Sequence, residues 1–310
     1  MVVSLGTIEQ ALVYSFILSL LGIGITLLYR TTKVPNFAHA SFTTAGAYAV
    51  YSVTMTLGLN PYLYGFPTAF LIGALMAVIL FLILEPLRRR KATIQMLMIA
   101  TLAYDILMFG ILNVYADILQ ASYKIPSRTV TLRRFDFTVA DLRGVFVISF
   151  ILLLLSVTIL YLILSKTSIG ISLRASMENQ ALAESIGIDT RVTLLISWAI
   201  AGGLAGLGGG TLAMWTQIDP SVGMFLVASM FCASIVGGLE EIYGAILGGL
   251  LLGFVELIGI EILAKVIGTW IVPYRPAIPL LILFLTLLLS PMGLVEPARK
   301  AFRGMRGRRW

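Results

Sequence analysis

Nine stretches of this chain run apolar for long enough to cross a lipid bilayer as helices. They fall at about 9–29, 37–57, 63–84, 93–113, 144–165, 192–213, 223–239, 244–263 and 276–290. A spanning helix needs about 20 mostly apolar residues. Strands of a membrane barrel would instead alternate over about ten residues, and within hydrocarbon only helices and closed barrels satisfy their own backbone groups. These runs are continuously apolar, so they are helices. Only Glu240, Glu241, Ile242 and Tyr243 separate the seventh run from the eighth, which makes that pair a tight helical hairpin. The last run starts after Pro276 and contains Pro279. Composition agrees: 59% of the residues are hydrophobic and 12% charged, whereas soluble domains carry roughly 25% charged residues. So few charges could not cover a water-soluble fold of this length. The sequence therefore predicts an all-α, polytopic transmembrane helical bundle of about nine spans, within a range of eight to ten, forming a single transmembrane domain over 1–310.

Charge fixes the expected orientation. If odd-numbered spans run inward, fifteen of the 22 Lys and Arg residues lie on the cytoplasmic side, six of them in a basic tail at 297–310, and seven lie outside. That bias puts the N-terminus outside and the C-terminus in the cytoplasm. It also accounts for the net charge of +7 without nucleic acid, since positive charge gathers on cytoplasmic loops and anionic head groups. The N-terminus lacks the basic region of a cleaved signal peptide, and the stretch Ala11 to Leu28 is long enough to remain as a span. The longest outer segment, about 114–143, is either a solvated loop or a docking surface. One cysteine, Cys232, excludes an intrachain disulfide and a cysteine cluster, and one histidine, His39, excludes a multi-histidine metal site.

Four groups of residues stand out from the apolar background. The stretch from Val34 to Tyr48 sets Asn36, His39, Ser41, Thr43 and Thr44 among small residues at the inner end of the second span. Small residues let helices approach closely, and polar atoms at membrane depth need partners or a wet cavity. The stretch is either an interhelical hydrogen-bond cluster or the lining of a translocation path. The cytoplasmic segment 166–191 reads as a short helix from about Ser172 to Ile186, with Arg174 and Glu178 four apart on one face and Gly187 as its stop. The run Gly202 to Gly210 lacks the Lys and Ser/Thr of a phosphate-binding loop, since Thr211 and Leu212 follow it. Its Gly202, Gly206 and Gly210 make a close-packing helix face, a pattern repeated at Gly244, Gly248, Gly249 and Gly253. Finally, Asp105 falls in the fourth span and Glu256 and Glu261 in the eighth, where a carboxylate must face the bundle interior, pair or stay protonated. No metal cluster, nucleophilic elbow or nucleotide loop appears, so the chain reads as neither an enzyme nor the binder of a cofactor.

These residues also resemble the branched-chain amino acid importer permeases of the ABC superfamily, in the shorter (LivH) of their two types. The resemblance rests on Asn36-Phe37-Ala38-His39-Ala40 with Gly46-Ala47-Tyr48, and on Gly170, Leu173-Arg174-Ala175, Glu178-Asn179, Ala181, Ala183 and Gly187-Ile188-Asp189. It continues through Val236-Gly237-Gly238-Leu239, Gly244 to Gly249, Glu256, Tyr274-Arg275-Pro276 and Ser290-Pro291-Met292-Gly293-Leu294. These motifs run in order from about residue 10 to 296. Ala40 stands where the family usually has Gly, Glu240 to Tyr243 replaces a small-residue and proline turn, and Arg88 to Lys91 is unusually basic.

The resemblance implies a permease subunit in the cytoplasmic membrane of a bacterium or archaeon. It further implies a second homologous permease chain, two cytoplasmic ATP-binding subunits and an extracytoplasmic substrate-binding protein, with the coupling helix in Leu173 to Asp189. Candidate translocation-path residues are Asn36, His39, Ser41, Thr44, Asp105 and Glu256. Candidate coupling residues are Leu173, Arg174, Glu178, Asn179, Gly187 and Asp189. The alternatives are a permease of this class for urea, short amides or other amino acids, and a stand-alone proton-coupled carrier working through Asp105 or Glu256. Against that carrier, no interrupted helices recur in two matching halves.

Overall fold

The computed structural model describes residues 4–290, 293 and 294. The basic tail at 297–310, and Pro291 and Met292 of the last motif, lie outside the described residues. Each of the nine apolar runs is one helix: α1 (Leu5–Thr32), α2 (His39–Thr56), α3 (Phe66–Arg89), α4 (Ile94–Tyr123), α5 (Gly144–Lys166), α8 (Thr190–Trp215), α9 (Val222–Gly237), α10 (Ile242–Ile267) and α11 (Ala277–Leu289). Two short helices, α6 (Ser168–Glu178) and α7 (Gln180–Ser185), lie between α5 and α8. Among the described residues, six helices are long and apolar enough to cross a membrane: α1, α3 with the turn before it, α4, α5, α8 and α10. Of the other three, α2 has 18 residues and is rich in polar groups, and α9 and α11 have 16 and 13.

Three local expectations change. The outer segment expected over 114–143 is helical as far as Tyr123, because Ala116 and Leu119 keep α4's inner face buried. The irregular part is therefore 124–143. It carries a two-residue hairpin, Thr138–Val139 against Leu142–Arg143, whose turn residues Ala140 and Asp141 both have positive φ. The single cytoplasmic helix expected from Ser172 to Ile186 is two helices. Asn179 between them is extended (φ −154°, ψ 104°), and its side chain accepts the Leu182 N–H at 3.1 Å. An asparagine side chain that bonds the backbone locally competes with helix continuation. Arg174 and Glu178 are exposed, and among the described residues no ion pair joins them.

The chain packs as two compact units, one within Met1–Thr26 and Ala228–Trp310, the other Leu27–Val227. In the second unit, α2, α3 and α8 meet backbone to backbone. A Cβ on Gly202 would strike Ala77 and the Gly73 carbonyl of α3, and one on Gly206 would strike the Ala69 carbonyl. Further along α8, a Cβ on Gly209 would overlap the Thr43 carbonyl of α2. The glycine run is thus crowded by both α2 and α3, with Gly210 packed on Val50 and Ala69. In the same unit, α4 and α5 expose Ile106, Leu107, Phe150, Ile151, Leu154 and Leu155, as lipid-facing helices do.

In the first unit, Gly249 and Gly253 of α10 pack on the backbone of Ser19 and Ser15 in α1. The expected hairpin of α9 and α10 turns at Gly238 (φ +100°). Gly237 approaches the Gly244 carbonyl there, and Gly248 the Ala233 carbonyl, which seals the hairpin.

Candidate functional site

Several polar side chains of the second span and its surroundings accept N–H groups at helix starts. The first N–H groups of a helix lack intrahelical acceptors. In α2 the capping residue is Ala38, whose side chain can accept nothing. The acceptor comes from another helix: the Asp105 carboxylate of α4 takes the Ser41 N–H at 3.1 Å and also the Ser41 hydroxyl. A carboxylate at a helix N-terminus also complements the positive end of the helix dipole. Asn36 Oδ1 accepts the Ala38 N–H at 3.2 Å, and Thr101 Oγ1 of α4 accepts the Phe37 N–H at 3.3 Å. Thr44 Oγ1 in turn accepts the Gly223 N–H at 3.0 Å, in the first turn of α9.

All of these groups are buried: Asn36, His39, Ser41, Thr44 and Asp105 are each at most 4% exposed. His39 sits edge-on to Phe42, ring centroids 6.0 Å apart. Asn36 keeps one buried donor, Nδ2, without a hydrogen-bond partner among the described residues. Five of the six candidate path residues therefore gather in the unit Leu27–Val227.

Glu256 belongs to the other unit, at the centre of a second polar cluster. It is 2% exposed. Its Oε1 accepts from Tyr14 Oη at 3.0 Å and from Arg275 Nε at 2.7 Å, and its Oε2 accepts from Ser229 Oγ at 3.0 Å. The Arg275 guanidinium lies 4.2 Å from the Tyr14 ring centroid, so a cation–π contact joins the ion pair. Burial opposes the charge on Arg275, and the Tyr14 and Glu256 oxygens facing it outweigh that cost and raise its pKa above the usual arginine value. Glu261 is separate, paired with Lys265 at 2.5 Å. Sequence reasoning left Tyr14 and Ser229 out, and neither residue carries a local signal. Arg275 was open to inference, since a buried carboxylate in α10 requires a cation and Arg275 follows 19 residues later.

The segment 166–191, expected on the cytoplasmic side, is built from local caps. Thr167 Oγ1 accepts the Gly170 N–H at 3.0 Å and opens α6. Gly187, at φ +88°, releases the chain from α7, and Asp189 caps α8 by accepting the N–H groups of Arg191 and Val192 at 3.0 and 3.2 Å. Leu173 anchors α6 and is fully buried, whereas Arg174, Glu178, Asn179, Leu182 and Ile186 face outward. Beside this segment, an open cleft of about 620 Å³ is lined by Glu85, Arg88 and Arg89 from the end of α3 and by Glu184 and Gly187 to Arg191. Glu85 holds both arginines of its own helix, with each Nε at 2.8 Å. Among the described residues, no three His, Cys, Asp or Glu side chains gather as a metal site.

The arrangement supplies helix ends, close-packed glycines and an exposed knob formed by α6 and α7. The family model described as "Branched-chain amino acid transport system / permease component" matches residues 7–290. A Methanocaldococcus jannaschii protein named as a probable branched-chain amino acid transport permease protein LivH is 40% identical over 287 residues, 93% of this chain and 91% of that one. The Pseudomonas aeruginosa protein named high-affinity branched-chain amino acid transport system permease protein BraD is 25% identical, over 89% of this chain and 91% of its own. A Salmonella typhimurium protein named LivH, of the same description, is 24% identical over 89% of this chain and 90% of its own. No solved structure matches the chain.

Proposed function

The chain belongs to the branched-chain amino acid transport permease family and is a multi-pass protein of the cytoplasmic membrane, and from that premise we propose how it works. It is the permease subunit of an ABC importer that moves branched-chain amino acids, driven by ATP hydrolysed in partner subunits. It crosses the membrane nine times as a single permease domain over 1–310, with its N-terminus outside and its C-terminus inside. It pairs with a second, homologous permease chain, two cytoplasmic ATP-binding subunits and an extracytoplasmic substrate-binding protein.

The observation that carries this reading is the α6–α7 pair. Two short helices, capped at each end, stand between long apolar helices and present Arg174, Glu178, Asn179, Leu182 and Ile186 outward. Leu182 and Ile186 are 61% and 69% exposed and lie four residues apart, an apolar face rimmed by charge that suits a cleft on a soluble ATPase. Gly187 and Asp189 pass movement of this knob directly into the first turn of α8. Asn36, His39, Ser41, Thr44 and Asp105 line the inner end of the path, and Asn36 Nδ2 is the donor left to meet a passing solute. Within its own unit, Glu256 is a further candidate path residue, held by Tyr14, Ser229 and Arg275.

Purification in mild detergent tests this. The expected result is a complex with a second permease and two ATPase subunits, which in liposomes takes up leucine only with ATP. Replacing Arg174 and Glu178 by Ala is expected to dissociate the ATPase subunits. A lone chain that transports without ATP, and stops when Asp105 becomes Asn, would establish the proton-coupled carrier instead.

A further inference from the structure

The turn that joins α3 to α4 carries four basic residues in succession, Arg88 to Lys91, beside a single carboxylate, Glu85. Glu85 is buried and draws two of them inward. Arg88 gives it Nε and Nη2 at 2.8 and 3.1 Å, whereas Arg89 gives it Nε alone, at 2.8 Å, and stays 60% exposed. Arg90 and Lys91 are exposed at the apex, and among the described residues no ion pair holds either. Four cations against one carboxylate leave the turn three positive charges in excess.

The backbone under these charges is ordered in advance, which lowers the entropy cost of binding. The Ala92 N–H reaches back to the Leu87 carbonyl at 3.1 Å and the Lys91 N–H to the Arg88 carbonyl at 2.9 Å, which closes α3. Thr93 Oγ1 then accepts the Met96 N–H at 3.3 Å and opens α4. Lys91 has φ +58°, in the left-handed region where glycine is the usual residue, so backbone geometry does not account for a lysine there. The cations also stand where apolar stripes end. Ile79, Ile83, Pro86 and Arg90 follow at spacings of four, three and four along one face of α3, and all are exposed. Gln95, Ile99, Leu102 and Ile106 make the same exposed stripe on α4. Both helices are long and apolar enough to cross a membrane.

We propose that Arg89, Arg90 and Lys91 bind the phosphate of an anionic phospholipid, whose acyl chains lie along the two exposed stripes. Guanidinium groups match phosphate oxygens in pairs, and an ammonium adds a point charge. A zwitterionic lipid would bring its own cation to a turn already in positive excess. A soluble phosphate compound would gain nothing from the stripes. Basic clusters of this size beside a spanning helix are a form in which proteins recognise anionic lipid. The inference rests on the membrane location alone and does not need the importer reading.

The test is native mass spectrometry of the protein purified in mild detergent, with whatever subunits stay bound. It is titrated with phosphatidylglycerol and with phosphatidylcholine of the same acyl chains. The first phosphatidylglycerol is expected to bind about ten-fold more tightly than the first phosphatidylcholine, or better. Arg90→Gln with Lys91→Gln is expected to remove that preference. Lys124→Gln with Arg133→Gln takes the same charge from exposed positions elsewhere and is expected to keep it. A preference that survives the first variant, or falls equally in the second, would overturn the proposal. So would displacement of the bound lipid by glycerol phosphate at matching concentration, which would mark a site for a soluble phosphate compound. If the first variant does not fold, Lys91→Gly takes its place, since glycine suits the backbone there. It is expected to weaken phosphatidylglycerol binding about five-fold, and an undiminished preference would overturn the proposal equally.

Discussion

In the unit Leu27–Val227, three helices meet with glycine against backbone, and Asn36, Thr44, Thr101 and Asp105 accept N–H groups at the starts of two helices. The other unit sets an ion pair, Glu256 with Arg275, among Tyr14 and Ser229. The first arrangement works by closeness. Helices that lack the hydrophobic effect as a driving force gain dispersion from short approach, which only small residues permit. The second works by charge compensation, which is costly to assemble and more costly to leave half-made. Damage should therefore be tolerated differently: sterically and in proportion to size in one unit, all-or-none in the other.

The sharpest way to break this comparison is Glu256→Leu, which strands Arg275 beside a ring and no counter-ion. It is expected to cost about 3–5 kcal/mol, read as a fall in the thermal unfolding temperature of the detergent-purified protein. Adding Arg275→Met should recover much of that loss, and a double variant no better than the single would refute the ion-pair account. Next in size is Gly206→Val, whose side chain has the Ala69 carbonyl in its way. Overpacking of this kind costs about 1–3 kcal/mol or more, and in contrast to the first case no single partner substitution should repair it.

Ser41→Ala is the next smaller test. It removes one of the Asp105 donors and leaves the Ser41 N–H in place, so a loss of about 0.5–1.5 kcal/mol is expected. A loss as large as that of Glu256→Leu would mean that Asp105 is held as a charge rather than as a cap. The smallest effect has the opposite sign. Gly110 lies within α4, and a Cβ placed there would meet nothing within 4 Å, so Gly110→Ala should stabilise by about 0.5–1 kcal/mol through helix propensity alone. A destabilising result would show that α4 is packed against something at that point.

Much of the fold is legible along the chain. Span length, continuous apolarity and the stop at Gly187 are properties of neighbouring residues, so α1–α5 and α8–α11 follow from the sequence to within a few residues, except for the end of α4. The crowding of Gly202, Gly206 and Gly210 also follows, because glycines four apart share a helix face. So does the requirement that Asp105 and Glu256 find partners, since an unmatched carboxylate in hydrocarbon is costly wherever it lies. The identity of those partners does not follow. Ser41 reaches Asp105 across 64 residues and Tyr14 reaches Glu256 across 242. The break at Asn179 and the extra helical turns to Tyr123 were settled by competition between nearly equal local options. Helix formation is a short-range matter that a sequence states directly, whereas which donor meets a buried carboxylate depends on how closely distant helices can approach, and only tertiary packing sets that distance.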